Sequence, residues 1–155
     1  MATAPAFGEH LIDGLYDQAL LLADQARAAF DIRDEASPSN TPDAVRIALS
    51  IEGLRTTTRV MHVLAWLLNQ RAYQAGELSL SQLRSHGRLG AERPSDRDNL
   101  ARLEPATRSL IEDSENLYAR IARLAAEQNA GAEPGETPDG VRAMQGRIAA
   151  VYAGH

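Results

Sequence analysis

The sequence of 155 residues contains no cysteine, and this absence removes several kinds of chemistry at once. Disulfides, cysteine-ligated metal sites and thiol nucleophiles are all excluded. Aromatic residues make up only 5% of the chain, which argues against the large core of a β-sandwich or a β-barrel. The chain is nevertheless long enough to bury one hydrophobic core of its own.

Lysine is also missing, so all 16 basic residues are arginines, and the net charge is −5 at pH 7. A negative net charge argues against general binding to nucleic acid, which needs a basic surface. The first ten residues contain neither the basic segment nor the apolar run of a signal peptide, so we expect a cytoplasmic protein. No apolar run approaches the roughly 20 residues of a membrane-spanning helix, so no membrane association is expected.

Motifs for catalysis and cofactor binding are absent from the sequence as well. It has no nucleophile elbow, no glycine-rich phosphate loop and no dinucleotide-binding fingerprint. The histidines lie in no spacing typical of metal ligands. They are His10, His62, His86 and His155. We therefore expect neither enzymatic activity nor a cofactor or metal.

Apolar residues at helical spacing predict three long helices, at residues 9–34, 41–75 and 105–128. The third helix continues a seven-residue repeat that is typical of helix bundles. The repeat comprises Leu103, Leu110, Leu117 and Leu124. Together these patterns predict an all-α three-helix bundle with a long central helix, within a domain at residues 1–129.

Shorter signals divide the segment between the second and third helices. Gly76 is expected to end the second helix in the left-handed conformation. A capping box at Ser79 and Gln82 predicts a short helix over residues 79–85. Residues 87–99 are rich in Gly, Pro, Arg and Asp, and this composition predicts a loop.

Residues 130–155 differ in composition from the bundle domain. They begin with glycines and prolines, which predict a linker. Apolar residues then recur at helical spacing, at Val141, Met144 and Ile148. We expect a flexible tail whose short amphipathic helix binds partners.

The central helix is apolar nearly all round, since eight of the nine residues from Val60 to Leu68 are apolar. Such a helix must be covered on more than one side. One face is predicted to be the core stripe. It comprises Ile47, Ile51, Leu54, Met61, Ala65 and Leu68. A second face, with Val60, Val63 and Leu67, is predicted to contact a second copy of the chain in a homodimer.

The third face of this helix mixes aromatic and basic side chains, which dominate the hot spots of protein interfaces. It is therefore a candidate partner-binding surface. Its residues are Arg55, Arg59, His62, Trp66, Asn69 and Tyr73. In the alternative interpretation, Trp66 completes the core or the dimer contact, and Arg55 and Arg59 are solvated.

Arginines are concentrated around the predicted loop, at Arg84, Arg88, Arg93, Arg97 and Arg102. Acidic residues within the same loop partly neutralise them, which favours a solvated loop. The arginines leave open one alternative function, a DNA-associated regulator that uses this loop. A dimeric structural protein without further partners is a second alternative.

The segment from Ser50 to Ala72 resembles the RcdA family, the alphaproteobacterial regulators of CtrA degradation. The matching residues are Thr57, Thr58, Arg59, Met61, Trp66, Leu67, Leu68, Gln70, Arg71 and Ala72. The resemblance implies a dimeric three-helix bundle that acts as an adaptor for the ClpXP protease in the cell cycle. It also implies protein partners, namely CpdR-like and PopA-like regulators and substrates such as CtrA, and a tail that takes part in those contacts.

Overall fold

The computed structural model of the protein describes residues 7–31 and 41–130. Within these ranges there are five helices and no strand, which confirms the predicted all-α fold. The long helices are α1 (Glu9–Ala29), α2 (Asp43–Gln74) and α5 (Pro105–Ala130). The short helices are α3 (Leu80–His86) and α4 (Arg97–Ala101). The predicted tail contacts Val141, Met144 and Ile148 lie outside the described residues.

The first two long helices run antiparallel. Phe7, just before α1, stacks at a tilt on Trp66 near the end of α2, with ring centroids 6.0 Å apart. Phe30, just after α1, packs against Gly53 near the beginning of α2. This close approach requires glycine, because a Cβ at position 53 would lie 2.9 Å from the Phe30 ring.

In contrast, α2 and α5 run in the same direction. Arg59 is hydrogen-bonded to Ser114, and Gln70, further along α2, is hydrogen-bonded to Gln128, further along α5. The connection between the two helices must therefore travel back along the bundle. It carries α3 and α4, and it brings residues 87–96 alongside α2.

Local signals define the end of α2 and the beginning of α3. Gly76 has a φ of 76°, and the N–H groups at 76 and 77 donate to the carbonyls of Tyr73 and Ala72. This is the Schellman arrangement that the sequence predicts. The Ser79 hydroxyl accepts from the Gln82 N–H, and the Gln82 side chain accepts from the Ser79 N–H, which confirms the capping box.

The main core lies between the three long helices. From α1 it takes Ile12, Leu15, Ala19, Leu22 and Ala26. From α5 it takes Leu110, Leu117 and Ile121. A smaller cluster of buried apolar residues lies near the beginning of α2. It comprises Ala48, Leu100, Leu103 and Ile111.

The predicted loop at 87–99 requires correction at its end, because α4 begins at Arg97. The Asp96 side chain caps this helix by accepting from the Asp98 N–H at 2.8 Å. Burial of Leu100 in the smaller cluster holds the helix in place. A helix of five residues is too short to show an apolar period in the sequence.

The faces of α2 also differ from the prediction. Val60, Val63 and Leu67 are 3%, 1% and 0% exposed within the single chain. Contacts with α1 and α5 cover them, which corrects their assignment to a dimer contact. The face predicted to be the core stripe is exposed instead. Its residues are Ile47, Ile51, Leu54, Met61, Ala65 and Leu68.

Candidate functional site

Arg59 lies at the centre of a polar cluster between α2, α5 and the segment that precedes α4. Its side chain is fully buried. Its Nε donates to Glu92 Oε2 at 2.9 Å, and its Nη1 donates to Ser114 Oγ at 2.9 Å. Its Nη2 donates to the Arg93 carbonyl at 3.0 Å and to Ser95 Oγ at 3.3 Å. Arg59 therefore joins three parts of the fold, which corrects its assignment to a partner-binding surface.

Two turns earlier on α2, Glu52 is a second buried charge that holds the same segment. Its Oε1 accepts from Arg55 Nη1 at 2.9 Å, from the Asp96 N–H at 3.1 Å and from Asn99 Nδ2 at 3.2 Å. Burial raises the pKa of Glu52. Hydrogen bonds from Ser95, Asp96 and Asn99 and the charge of Arg55 together lower this pKa by more than burial raises it, so the net shift is downward. Glu52 thus anchors the beginning of α4 as a carboxylate.

The segment before α4 also passes closely over His62. A Cβ at Gly90 would lie 2.6 Å from the His62 imidazole, so only glycine allows this approach. The Tyr118 hydroxyl of α5 donates to the Gly90 carbonyl at 2.6 Å. Burial and the nearby charge of Glu92 raise the pKa of Tyr118, which keeps this donor protonated. The backbone at Gly90 is therefore fixed between α2 and α5.

Near the end of α2, the aromatic and amide residues are structural. Trp66 is only 1% exposed, so it belongs to the core as the alternative interpretation has it, and not to an open partner-binding surface. The side-chain amides of Gln70 and Gln128 donate to each other at 3.0 Å in the buried interior. Of the remaining predicted partner-binding residues, Arg55, His62 and Tyr73 are half-buried.

The largest unexplained feature of α2 is its outward side, which we call the apolar face of α2. The exposed fractions of its large side chains run from 39% to 71%. They are Ile47, Ile51, Leu54, Met61 and Leu68. At about 100° per residue these positions share one side of the helix. Contiguous exposed apolar surface on a folded chain marks sites of protein contact, so this face is the strongest candidate surface.

The arginines around the connection are placed on several elements. Arg97, on α4, lies 3.5 Å from Glu115 of α5. The side chains of Arg88, Arg93 and Arg102 are exposed. Glu92, one of the acidic residues of this loop, is paired with the buried Arg59 of α2.

Within residues 7–31 and 41–130, no group of three or more histidine, aspartate or glutamate side chains could hold a metal ion. No helix there combines the length and the apolar composition that crossing a membrane requires.

These observations define an all-α bundle protein with an apolar core, a buried polar cluster around Arg59 and an apolar face exposed on its longest helix. Residues 4–152 match the family described as a protein of unknown function, DUF1465, and the chain belongs to this family. No curated protein and no solved structure matches the chain.

Proposed function

We propose that the protein is a non-enzymatic, cytoplasmic adaptor of the RcdA type. In this role it helps to deliver substrate proteins, such as the cell-cycle regulator CtrA, to the ClpXP protease. The observation that carries the proposal is the apolar face of α2. Two of its residues, Met61 and Leu68, are among the residues of segment 50–72 that match the RcdA family.

The residues of that segment fall into two groups. Arg59, Trp66 and Gln70 are buried, and packing or hydrogen bonds within the bundle account for them. Met61 is 62% exposed and Leu68 is 50% exposed, so the packing of the described bundle does not account for their apolar character. A surface that receives another protein is the simplest reason for apolar side chains at these positions.

An adaptor acts by tethering. It raises the local concentration of a substrate near the protease through linked weak contacts, and it carries out no chemistry itself. CpdR-like and PopA-like regulators are the further partners of this proposal. The adaptor of this proposal is a homodimer. The apolar face of α2 receives the second copy of the chain, so the substrate and the regulators bind elsewhere on the dimer. Two such faces related by a two-fold axis would cover each other symmetrically.

Two measurements test the adaptor and the dimer separately. With purified ClpXP and CtrA, addition of the protein should accelerate CtrA degradation, and no acceleration in the presence of the partner regulators would reject the adaptor role.

In light scattering, Leu54→Asp and Met61→Asp should reduce the dimer to a monomer, because each places charge on the apolar contact. Asn116→Asp, at an exposed position of α5, is the matched control and should leave the mass unchanged. A dimer that survives both substitutions would show that its contact lies elsewhere.

The exposed side chains of Arg88, Arg93 and Arg102 support a different function, a DNA-associated regulator. Phosphate contacts would make binding fall steeply with salt concentration. A gel-shift titration at several salt concentrations separates this function from the adaptor. Salt-sensitive binding that is lost in an Arg88→Gln and Arg93→Gln double variant would favour the DNA-binding function.

A further inference from the structure

The apolar face of α2 belongs to a longer series of exposed positions, which we call the heptad stripe of α2. Its members recur at alternating intervals of three and four residues, and all of them are exposed in the single chain. This is the seven-residue period of helices that pair in coiled coils. The stripe extends over about 36 Å of helix. It comprises Ala44, Ile47, Ile51, Leu54, Thr58, Met61, Ala65 and Leu68.

Large and small side chains alternate along the heptad stripe. One half of the repeat is always large, whereas the other half is small at three of its four positions. Two facing helices pack without voids when the large residues of one lie against the small residues of the other. The large series is Ile47, Leu54, Met61 and Leu68, and the other series is Ala44, Ile51, Thr58 and Ala65.

This alternation distinguishes the two orientations in which a second α2 can lie on the stripe. In a parallel two-fold pair each residue meets its own copy, so alanine would face alanine at position 65 and leucine would face leucine at position 54. Such a pair has voids at the small positions and crowding at the large ones. In an antiparallel pair the large series of one helix meets the other series of its partner. The facing residues are Ala44 with the partner's Leu68, Ile51 with the partner's Met61, Thr58 with the partner's Leu54, and Ala65 with the partner's Ile47.

Charges beside the stripe favour the same orientation. Asp43 and Arg71 are exposed on the same edge of the stripe, near its two ends. An antiparallel pair brings each Asp43 beside the partner's Arg71, whereas a parallel pair brings like charges together. On the other edge, Arg55 would approach the partner's Arg55. Glu52 of its own chain lies 2.9 Å from Arg55 and offsets this charge.

We propose that the homodimer forms through an antiparallel pair of α2 helices, whose two-fold axis lies midway between Leu54 and Thr58. This inference rests on the homodimer of the proposed function, and it names the orientation and the register of the contact. The sides of α2 that contact α1 and α5 are not used, so each bundle stays intact.

Disulfide trapping between two single-cysteine variants tests the orientation, because the chain has no cysteine of its own. The variants Ile47→Cys and Ala65→Cys are mixed in equal amounts, left to exchange subunits and mildly oxidised. The main product should be the mixed disulfide dimer, as identified by its intact mass. In the antiparallel pair two copies of the same cysteine would lie about 27 Å apart, which is too far for a disulfide.

The matched control replaces Ala65→Cys with Ala119→Cys, at an exposed alanine of α5. Its mixed disulfide should form at least about tenfold more slowly, because pairing of α2 does not raise the effective concentration of that cysteine near position 47. Disulfides mainly between copies of the same variant would overturn the antiparallel orientation and leave the homodimer in place. A protein that is dimeric in light scattering but forms neither disulfide would overturn the use of this face. A monomeric wild type would reject the homodimer itself, and this inference with it.

The sizes of the side chains give a second test, which needs no cysteine. Ala65→Leu should raise the dissociation constant of the dimer at least about tenfold, because the larger side chain would crowd the partner's Ile47. In a parallel pair the same change would fill the void between two alanines and lower this constant. Adding Ile47→Ala exchanges the large and the small member of the facing pair, and it should recover most of the affinity. A dissociation constant that Ala65→Leu lowers, as measured by sedimentation at several concentrations, would overturn the proposed orientation.

Discussion

At the scale of the residue, the buried guanidinium of Arg59 joins α2 to α5 and to the segment before α4. We predict that Arg59→Met lowers the free energy of unfolding by about 3 kcal/mol. The substitution keeps an unbranched apolar stem but leaves Glu92, Ser114 and the Arg93 carbonyl without their donor. Urea titration followed by circular dichroism measures the loss.

The matched control for this prediction is Arg27→Met. Arg27 pairs with Asp24 at 3.2 Å on the surface of α1, where both side chains are mostly exposed. A pair of this kind contributes about 0.5 kcal/mol or less. Equal losses in Arg59→Met and Arg27→Met would contradict the structural role of the buried cluster.

Glu52 gives a second residue-scale prediction, which concerns pH. Its pKa in the folded protein lies below the ordinary value of 4.5. Its carboxylate therefore contributes stability above pH 4.5, and this contribution is lost as the pH falls through the lower, folded-state pKa. We expect the wild-type free energy of unfolding to decrease with acidification in that range. Glu52→Gln should remove part of the decrease, as measured by denaturant titrations from about pH 3 to pH 7. Identical pH profiles for the two proteins would disprove the assignment.

At the scale of the element, sequence patterns predict most helices but not the orientation of α2. In α1 and α5 the buried residues follow the apolar period, so the pattern alone finds both the helix and its core face. In α2 the buried face contains Glu52, Thr56, Arg59 and Gln70. Of these, Arg59 and Gln70 are hydrogen-bonded to Ser114 and Gln128, groups distant in sequence that no local pattern contains.

The segment from 87 to 96 is an element without regular structure, and Gly90 tests how tightly it is held. We predict that Gly90→Ala costs about 1–3 kcal/mol, because the new Cβ would overlap the His62 ring. The cost should shrink when His62→Ala is introduced as well, which a double-mutant cycle by thermal unfolding can measure. Gly14→Ala is the control. Nothing lies within 4 Å of a Cβ there, and removing glycine from a helix should stabilise by about 0.5–1 kcal/mol. An additive cycle for positions 90 and 62 would contradict the close contact.

At the scale of the whole molecule, the sequence pattern correctly groups the residues of the apolar face of α2 on one side of the helix. It predicts that this side is the core, whereas the structure leaves it exposed. Ile47, Leu54 and Met61 share one side of α2 in any helical reading of the sequence. The helical pattern alone does not determine whether that side faces α1 or the solvent. The answer depends on which side of α2 the rest of the bundle covers. The bundle buries the side that contains Arg59, because the segment before α4 supplies its partners.

This arrangement leads to a prediction that compares two aspartate substitutions on opposite sides of α2. Val63 is 1% exposed, so Val63→Asp places an unpaired charge in the core and should cost more than about 4 kcal/mol. Since a domain of this size is stable by only about 5–15 kcal/mol, the variant should melt far below the wild type or fail to fold. Leu54 is 71% exposed, so Leu54→Asp should change the stability of the isolated chain by about 0.5 kcal/mol or less.

Thermal unfolding by circular dichroism, at a concentration low enough to keep the chain monomeric, compares the two variants directly. If Val63→Asp melted like the wild type and Leu54→Asp unfolded, the inner and outer sides of α2 would be exchanged. The apolar face would then belong to the core, and the surface proposed for protein contacts would have to lie on the side that contains Val60, Val63 and Leu67. We therefore expect a charge on the inner side of α2 to oppose folding and a charge on its outer side to oppose association. Folding removes water from the inner side, whereas association removes it from the outer side.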